Sequence, residues 1–225
     1  MKFRKKNIEL ICKAIEEDEY ADSEQATTLY KEPVPHFSFL KSFVERNIRN
    51  GRILEIGCGS GNLFGVFPIT HAIEPNYQRY LRAVQNSKGK VIVKRGWIEA
   101  IPFRSNYFDT VLCLGTFCFI RSEDEALIEV NRVLKKHGVF IFDVVEETTL
   151  PLAKTTNAKC FVNRLKLFGF EVIEFRRYYS EIENSKKVYL AVEKCRNFDY
   201  RYLKLPQLVG GEIKNFLKER DWWLR

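Results

Sequence analysis

No apolar run in this 225-residue chain approaches the ~20 residues that a membrane-spanning helix needs. Its first residues, M-K-F-R-K-K-N, are not followed by the apolar stretch of an export signal, so a cytoplasmic protein is expected. Six cysteines, at positions 12, 58, 113, 118, 160 and 195, make no C-x-x-C pair and no metal-ligand spacing, which removes the usual reason to expect a metal site. Cys113 and Cys118 flank an apolar stretch and read as small buried hydrophobes. There are no internal repeats and no low-complexity segments, so a solenoid or a disordered tract is not indicated. Also missing are an arginine-rich run and an aromatic RNA-binding motif.

Those last absences matter because the chain is basic, with a formal net charge of +8. Residues 1–150 hold 21 Lys and Arg against 20 Asp and Glu, whereas residues 151–225 hold 16 against 9. The excess therefore belongs to the C-terminal third. Pairs such as Arg176-Arg177 and Lys186-Lys187 fit a solvated strand edge better than a nucleic-acid site.

What the chain does have is R-I-L-E-I-G-C-G-S-G-N-L at 52–63. Ile53, Leu54 and Ile56 make a short buried-strand pattern that stops at Gly57, Gly59 and Gly61. Glycine suits a turn whose backbone takes positive φ and meets a ligand closely. Glu55 lies at the carboxyl end of this strand, where open α/β sheets bind ligands, and its charge suits a cationic group. A second apolar stretch, His71-Ala72-Ile73, ends in Glu74, 19 positions on, where a carboxylate can accept from two ribose hydroxyls. The glycine spacing differs from the dinucleotide pattern G-x-G-x-x-G.

E-x-G-x-G-x-G resembles the first motif of the class I S-adenosylmethionine-dependent methyltransferases, in the small-molecule, type 11-like branch. Three further blocks resemble that family in the same order: G-W-I-E-A-I-P-F at 96–103, F-D-T-V-L at 108–112, and E-V-N-R-V-L-K-K-H-G-V-F-I at 129–141. The resemblance covers roughly residues 50–145 and departs from the family in leaving room for only a short first helix.

The resemblance implies an α/β fold with a doubly wound, mostly parallel seven-stranded sheet, closed by an antiparallel pair. Three regions follow: a helical cap at 1–50, the cofactor-binding core at 51–196, and an extension at 197–225 ending in a helix. Helices are expected at 5–19, around Phe39 to Val44, at 77–85, after Ser122 and at 158–168. Strands are expected at 91–93, 109–114, 139–145, 170–179 and 188–192. Trp222 and Trp223 would pack on the body or across a homodimer.

S-adenosylmethionine is the implied cofactor. Gly57, Cys58, Gly59 and Gly61 would approach its amino-acid part, Glu55 would order the turn or bind the ammonium, and Glu74 with Pro75 would take the ribose. Ile98 would meet the adenine, and Leu114, Gly115 and Thr116 would close the crevice. Trp97 stands where the family has an Asp that accepts from the adenine amino group, and an indole can only donate. Either Glu99 takes that role, or Trp97 packs on the ring, or Trp97 is a plain core aromatic.

The acceptor pocket would lie between the segment from Tyr30 to His36 and that from Gly115 to Phe119, with Phe117 and Phe119 as apolar walls. Tyr30 and His36 are its candidate catalytic groups, His36 being either a base or a structural histidine. An N-P-P-Y-like block and a P-C dipeptide are both absent, so a small-molecule acceptor is expected and nucleic acid is disfavoured. The alternatives are an RNA or protein methyltransferase using the basic third, and a non-catalytic cofactor-binding module.

Overall fold

The computed structural model describes residues 35–149, 153–180 and 184–199. Tyr30, the helix expected at 5–19 and the Trp222-Trp223 tail lie outside the described residues.

Seven strands form one sheet: β1 (Ile53–Ile56), β2 (His71–Glu74), β3 (Ile92–Arg95), β4 (Phe108–Cys113), β5 (Leu134–Thr148), β6 (Phe170–Ser180) and β7 (Ser185–Lys194). Their order is β3-β2-β1-β4-β5-β7-β6. The first five pair in parallel; β7 lies antiparallel to both β5 and β6, so it alone is reversed. From β1 the chain steps to one side and from β4 to the other. The crevice between their carboxyl ends is thus a topological switch point, where such sheets hold ligands.

Two apolar layers enclose the sheet. Helix α1 (Pro35–Asn47) starts with a proline, which suits a first helical position, and presents Phe37, Leu40, Phe43 and Val44 at helical spacing. These four share a buried cluster with Leu112, Ile141, Tyr189 and Ala191 of the sheet. On the opposite face, α3 (Glu123–Val133) and α4 (Ala158–Leu165) bury Leu127, Val130, Phe161 and Leu165 against Phe140 and Phe142. Helix α3 is capped by Ser122, whose Oγ accepts from the Glu125 N–H, and its acidic first turn pairs with Arg164 of α4. Helix α2 (Tyr77–Ser87) is capped by Asn76.

Among the described residues the expected strands and helices are present, with longer closing strands and a shorter α4. The first helix after β1 is not: residues 57–69 form successive turns and a short Phe64–Phe67 bridge. Four glycines here, Gly57, Gly59, Gly61 and Gly65, have φ between 54° and 84°, far from the helical value, and Pro68 follows. No uninterrupted stretch remains for a helix.

Candidate cofactor-binding site

The glycine turn is tied down on both sides. The Gly57 and Cys58 N–H groups both donate to the Ile73 carbonyl of β2, at 2.9 and 3.2 Å. The three glycines serve different ends. A Cβ on Gly57 would lie 2.4 Å from the Thr116 side chain, and one on Gly61 would lie 2.6 Å from the Phe64 ring. A Cβ on Gly59 would meet nothing within 4 Å. Gly59 is therefore the point where the turn opens onto free space.

Glu74 spans from β2 to this opening. Its Oε2 accepts from the Gly59 N–H and its Oε1 from the Asn76 N–H, both at 2.9 Å. Glu55 is buried alongside, and its Oε2 has no hydrogen-bond partner. Burial pushes its carboxyl well above the usual range, and the neighbouring charge of Glu74 adds to the shift. A cation placed here would satisfy the orphaned oxygen and reverse the shift. Burial raises the Cys58 thiol too, so it is no thiolate nucleophile.

On the β4 side, Leu114 is buried, Gly115 has φ 65°, and its N–H donates to Asp143 Oδ1 at 2.6 Å. Thr116 packs on Gly57, so the two lips of the crevice touch. Asp143 was not among the expected site residues. Its signal was available: it is the one charged side chain in the apolar run 139–145. Lys187 Nζ lies 3.9 Å from Asp143 Oδ2, and both are buried.

The 96–99 segment sits next to Glu74, since the Gly96 N–H donates to the Glu74 carbonyl at 3.3 Å. Ile98 is buried and Pro75 half-buried. Glu99 is turned away: Oε1 accepts from the N–H groups of Arg121 and Ser122, at 2.6 and 3.2 Å, and Oε2 lies 3.6 Å from the Arg121 guanidinium. Trp97 is half-buried with Arg121 stacked 4.6 Å from its ring centre. Glu99 is thus engaged by Arg121 and Ser122, and Trp97 and Ile98 are its neighbours in the segment.

The expected acceptor pocket is only partly assembled. Phe117 is core, packed against Phe142 at 5.0 Å and Phe161 at 5.7 Å between ring centres. This corrects its expected role as a pocket wall: the short 3-10 turn at Phe117–Phe119 sends it to the α3–α4 side, and Phe119 remains half-buried. His36 is buried in the first turn of α1, with Nε2 2.5 Å from the Tyr189 hydroxyl of β7. Tyr189 lies directly across the strand pair from Asp143, which places the His36 ring beside the β5–β7 part of the sheet. Among the described residues, no group of three metal-ligating side chains is present.

Comparison with known proteins agrees with this geometry. Residues 54–142 match the family model described as a methyltransferase domain. An uncharacterised protein of Methanocaldococcus jannaschii is 26% identical over 162 residues, which is 64% of this chain and 77% of that protein. A solved structure from Thermotoga maritima, titled a possible histamine N-methyltransferase, has a TM-score of 0.59 at 23% identity and covers 71% of this chain and 90% of its own. A phosphoethanolamine N-methyltransferase of Haemonchus contortus, solved with phosphomonomethylethanolamine and S-adenosylhomocysteine, has a TM-score of 0.66 at 14% identity, covering 81% of this chain and 59% of its own.

Proposed function

We propose that this chain, whose residues 54–142 match a methyltransferase domain, is a class I S-adenosylmethionine-dependent methyltransferase that passes the methyl group to a nucleophilic atom of a small molecule. The observation that carries the reading is the opening at Gly59, flanked by Glu74 and by the unpartnered oxygen of Glu55. These residues fit the cofactor. Gly59 leaves room for its amino-acid part, Glu55 offers an acceptor to the ammonium, Glu74 offers two to the ribose, and Trp97 and Ile98 bound the adenine.

When bound, the sulfonium supplies an electrophilic methyl. The protein then has to hold the acceptor in line and exclude water, and positioning of this kind is worth up to ~7–11 kcal/mol. Gly115, fixed by Asp143, and the β5–β7 face near Tyr189 and His36 are the described surfaces next to that space. A small acceptor is supported by the missing nucleic-acid signatures. The Thermotoga and Haemonchus proteins, whose names refer to small amines, point the same way.

Calorimetry with S-adenosylhomocysteine tests the cofactor site. Glu74→Ala should weaken binding by about 1.5–3 kcal/mol, as expected for a charge-assisted hydrogen bond. Gly59→Val should abolish it, because the side chain would fill the opening at a left-handed φ of 54°. Unchanged affinity in either variant would remove the assignment. Transfer of labelled methyl should appear in the small-molecule fraction of a metabolite mixture; label confined to RNA or protein would overturn the small-molecule reading.

A further inference from the structure

At the opposite end of the sheet from the cofactor crevice, the amino ends of β1, β2 and β4 bring together a group of rings and cations. Phe103 and Tyr107 lie nearly parallel, 6.5 Å between centres and 13° between planes. His71 and Phe108 meet both rings edge-on and form the floor. Three cations sit over this pair. Arg52 and Arg104 both lie over Tyr107, their guanidinium carbons 4.5 and 4.6 Å from its centre, and Lys94 lies 4.6 Å from the centre of Phe103.

The counter-charge is scarce. Asp109 is the carboxylate at this end of β4, and both its oxygens are held by Lys135 Nζ at 2.7 and 2.8 Å, with the Arg52 backbone N–H also on Oδ2. Among the described residues, neither the Arg52 nor the Arg104 guanidinium forms an ion pair with a carboxylate. Both side chains belong to exposed residues. Burial, with the charges of Arg52 and Lys94 adding to it, holds the His71 imidazole below its usual pKa.

A guanidinium lying over a ring has its apolar face covered while its N–H edge stays directed outward, oriented for oxyanions. Two such groups over one ring are at most about 9 Å apart, the sum of their distances to its centre. Both can therefore reach neighbouring phosphates of one chain, and a guanidinium takes a phosphate with two parallel hydrogen bonds. The geometry points to a binding site for closely spaced phosphate groups, made by Arg52, Arg104 and Lys94 on the Phe103–Tyr107 pair and separate from the cofactor crevice. Such phosphates come as a free polyphosphate or nucleoside triphosphate, or as the backbone of RNA.

The test is a binding titration of the full-length protein with inorganic tripolyphosphate, adenosine triphosphate and a single-stranded RNA oligonucleotide, at low and at ~150 mM salt. Arg52→Gln/Arg104→Gln should lose tripolyphosphate affinity by about tenfold or more. The same variant should keep the wild-type affinity for S-adenosylhomocysteine, which reports that it is folded and isolates this site from the cofactor site. Tyr107→Leu, which keeps all three cations but removes the ring that orients two of them, should also weaken binding. Lys159→Gln, which removes a positive charge on α4, should not. RNA binding that exceeds tripolyphosphate and is lost in the double variant assigns the source to RNA; the reverse order assigns it to a soluble phosphate. Equal affinity in wild type and double variant, or an equal loss with Lys159→Gln, would overturn the site.

Discussion

Glu55 carries a cost in the cofactor-free protein that should be measurable. Its carboxyl is raised well above the usual value by burial, with Glu74 contributing. A carboxyl raised on folding binds more protons in the folded state, so stability falls as pH rises from the unfolded value of ~4.3 through the raised one. Glu55→Gln lacks that titration. Thermal melts from pH 4 upward should therefore show the variant gaining on the wild type as pH increases. Over the pH range in which Glu55 titrates, binding of S-adenosylhomocysteine should release more protons from the wild type than from the variant. Calorimetry in buffers of different ionisation enthalpy reads this directly, and identical proton release in both proteins would contradict the ammonium role.

Lys194 runs the other way. Its ammonium is buried and donates to Asn106 Oδ1 and to the carbonyls of Asn131 and Leu134, all neutral acceptors, and burial lowers its pKa to about 8. Between about 8 and the unfolded ~10.4 the folded state binds fewer protons, so this group adds stability as pH rises. Denaturant titrations across that window should show the wild type gaining on Lys194→Met with increasing pH. At this scale the sequence was partly legible. Gly59, Glu74 and Glu55 were visible because their chemistry is local to a strand end. The roles of Asp143 and Glu99 were not, because each is set by a backbone N–H more than twenty residues away.

Among the elements, the 3-10 turn at Phe117–Phe119 most changes what the sequence suggests. An aromatic after β4 reads as a pocket wall, yet Phe117 joins Phe140, Phe142 and Phe161 in the core. Three residues of tighter winding decide which face it reaches, and periodicity does not resolve so short an element. Phe117→Ala should cost about 3–5 kcal/mol in urea unfolding, the usual penalty for emptying a phenylalanine site. S-adenosylhomocysteine affinity should be retained under conditions where the variant is folded. The segment 57–69 makes a related point. Its length hinted at a shortened helix, but the positive φ of four glycines replaces the helix with turns. The Gly59 opening thus has no helix N-terminus behind it among the described residues, and its donors are individual backbone N–H groups.

For the molecule as a whole, the doubly wound, mostly parallel seven-stranded sheet with its antiparallel closing pair followed from the alternation of strand and helix patterns together with the family resemblance. The distribution of charge did not. Counting along the chain placed the basic excess in the last third, whereas folding gathers Arg52, Lys94 and Arg104 from residues 1–150, which are nearly neutral in sum. Helix α1 begins at Pro35 and shares the core of the sheet, so removal of residues 1–34 leaves His36 and its Tyr189 contact in place. That truncation should lower the rate of methyl transfer while leaving S-adenosylhomocysteine affinity close to wild type. Full activity would show that Tyr30 has no part in the reaction.

The placement of β7 between β5 and β6 has a consequence for synthesis. β5 is the longest strand, mostly buried, and one of its edges waits for a partner that ends 46 residues later, at Lys194. At ~5–20 residues per second on the ribosome, that edge stays unpaired for roughly 2–9 s. During this interval the nascent chain offers Val139 to Val145 as an open apolar template, the kind of edge that recruits other chains. Fragments ending before Ser185 should therefore accumulate as aggregates, while the finished protein, its edge covered by β7, should not.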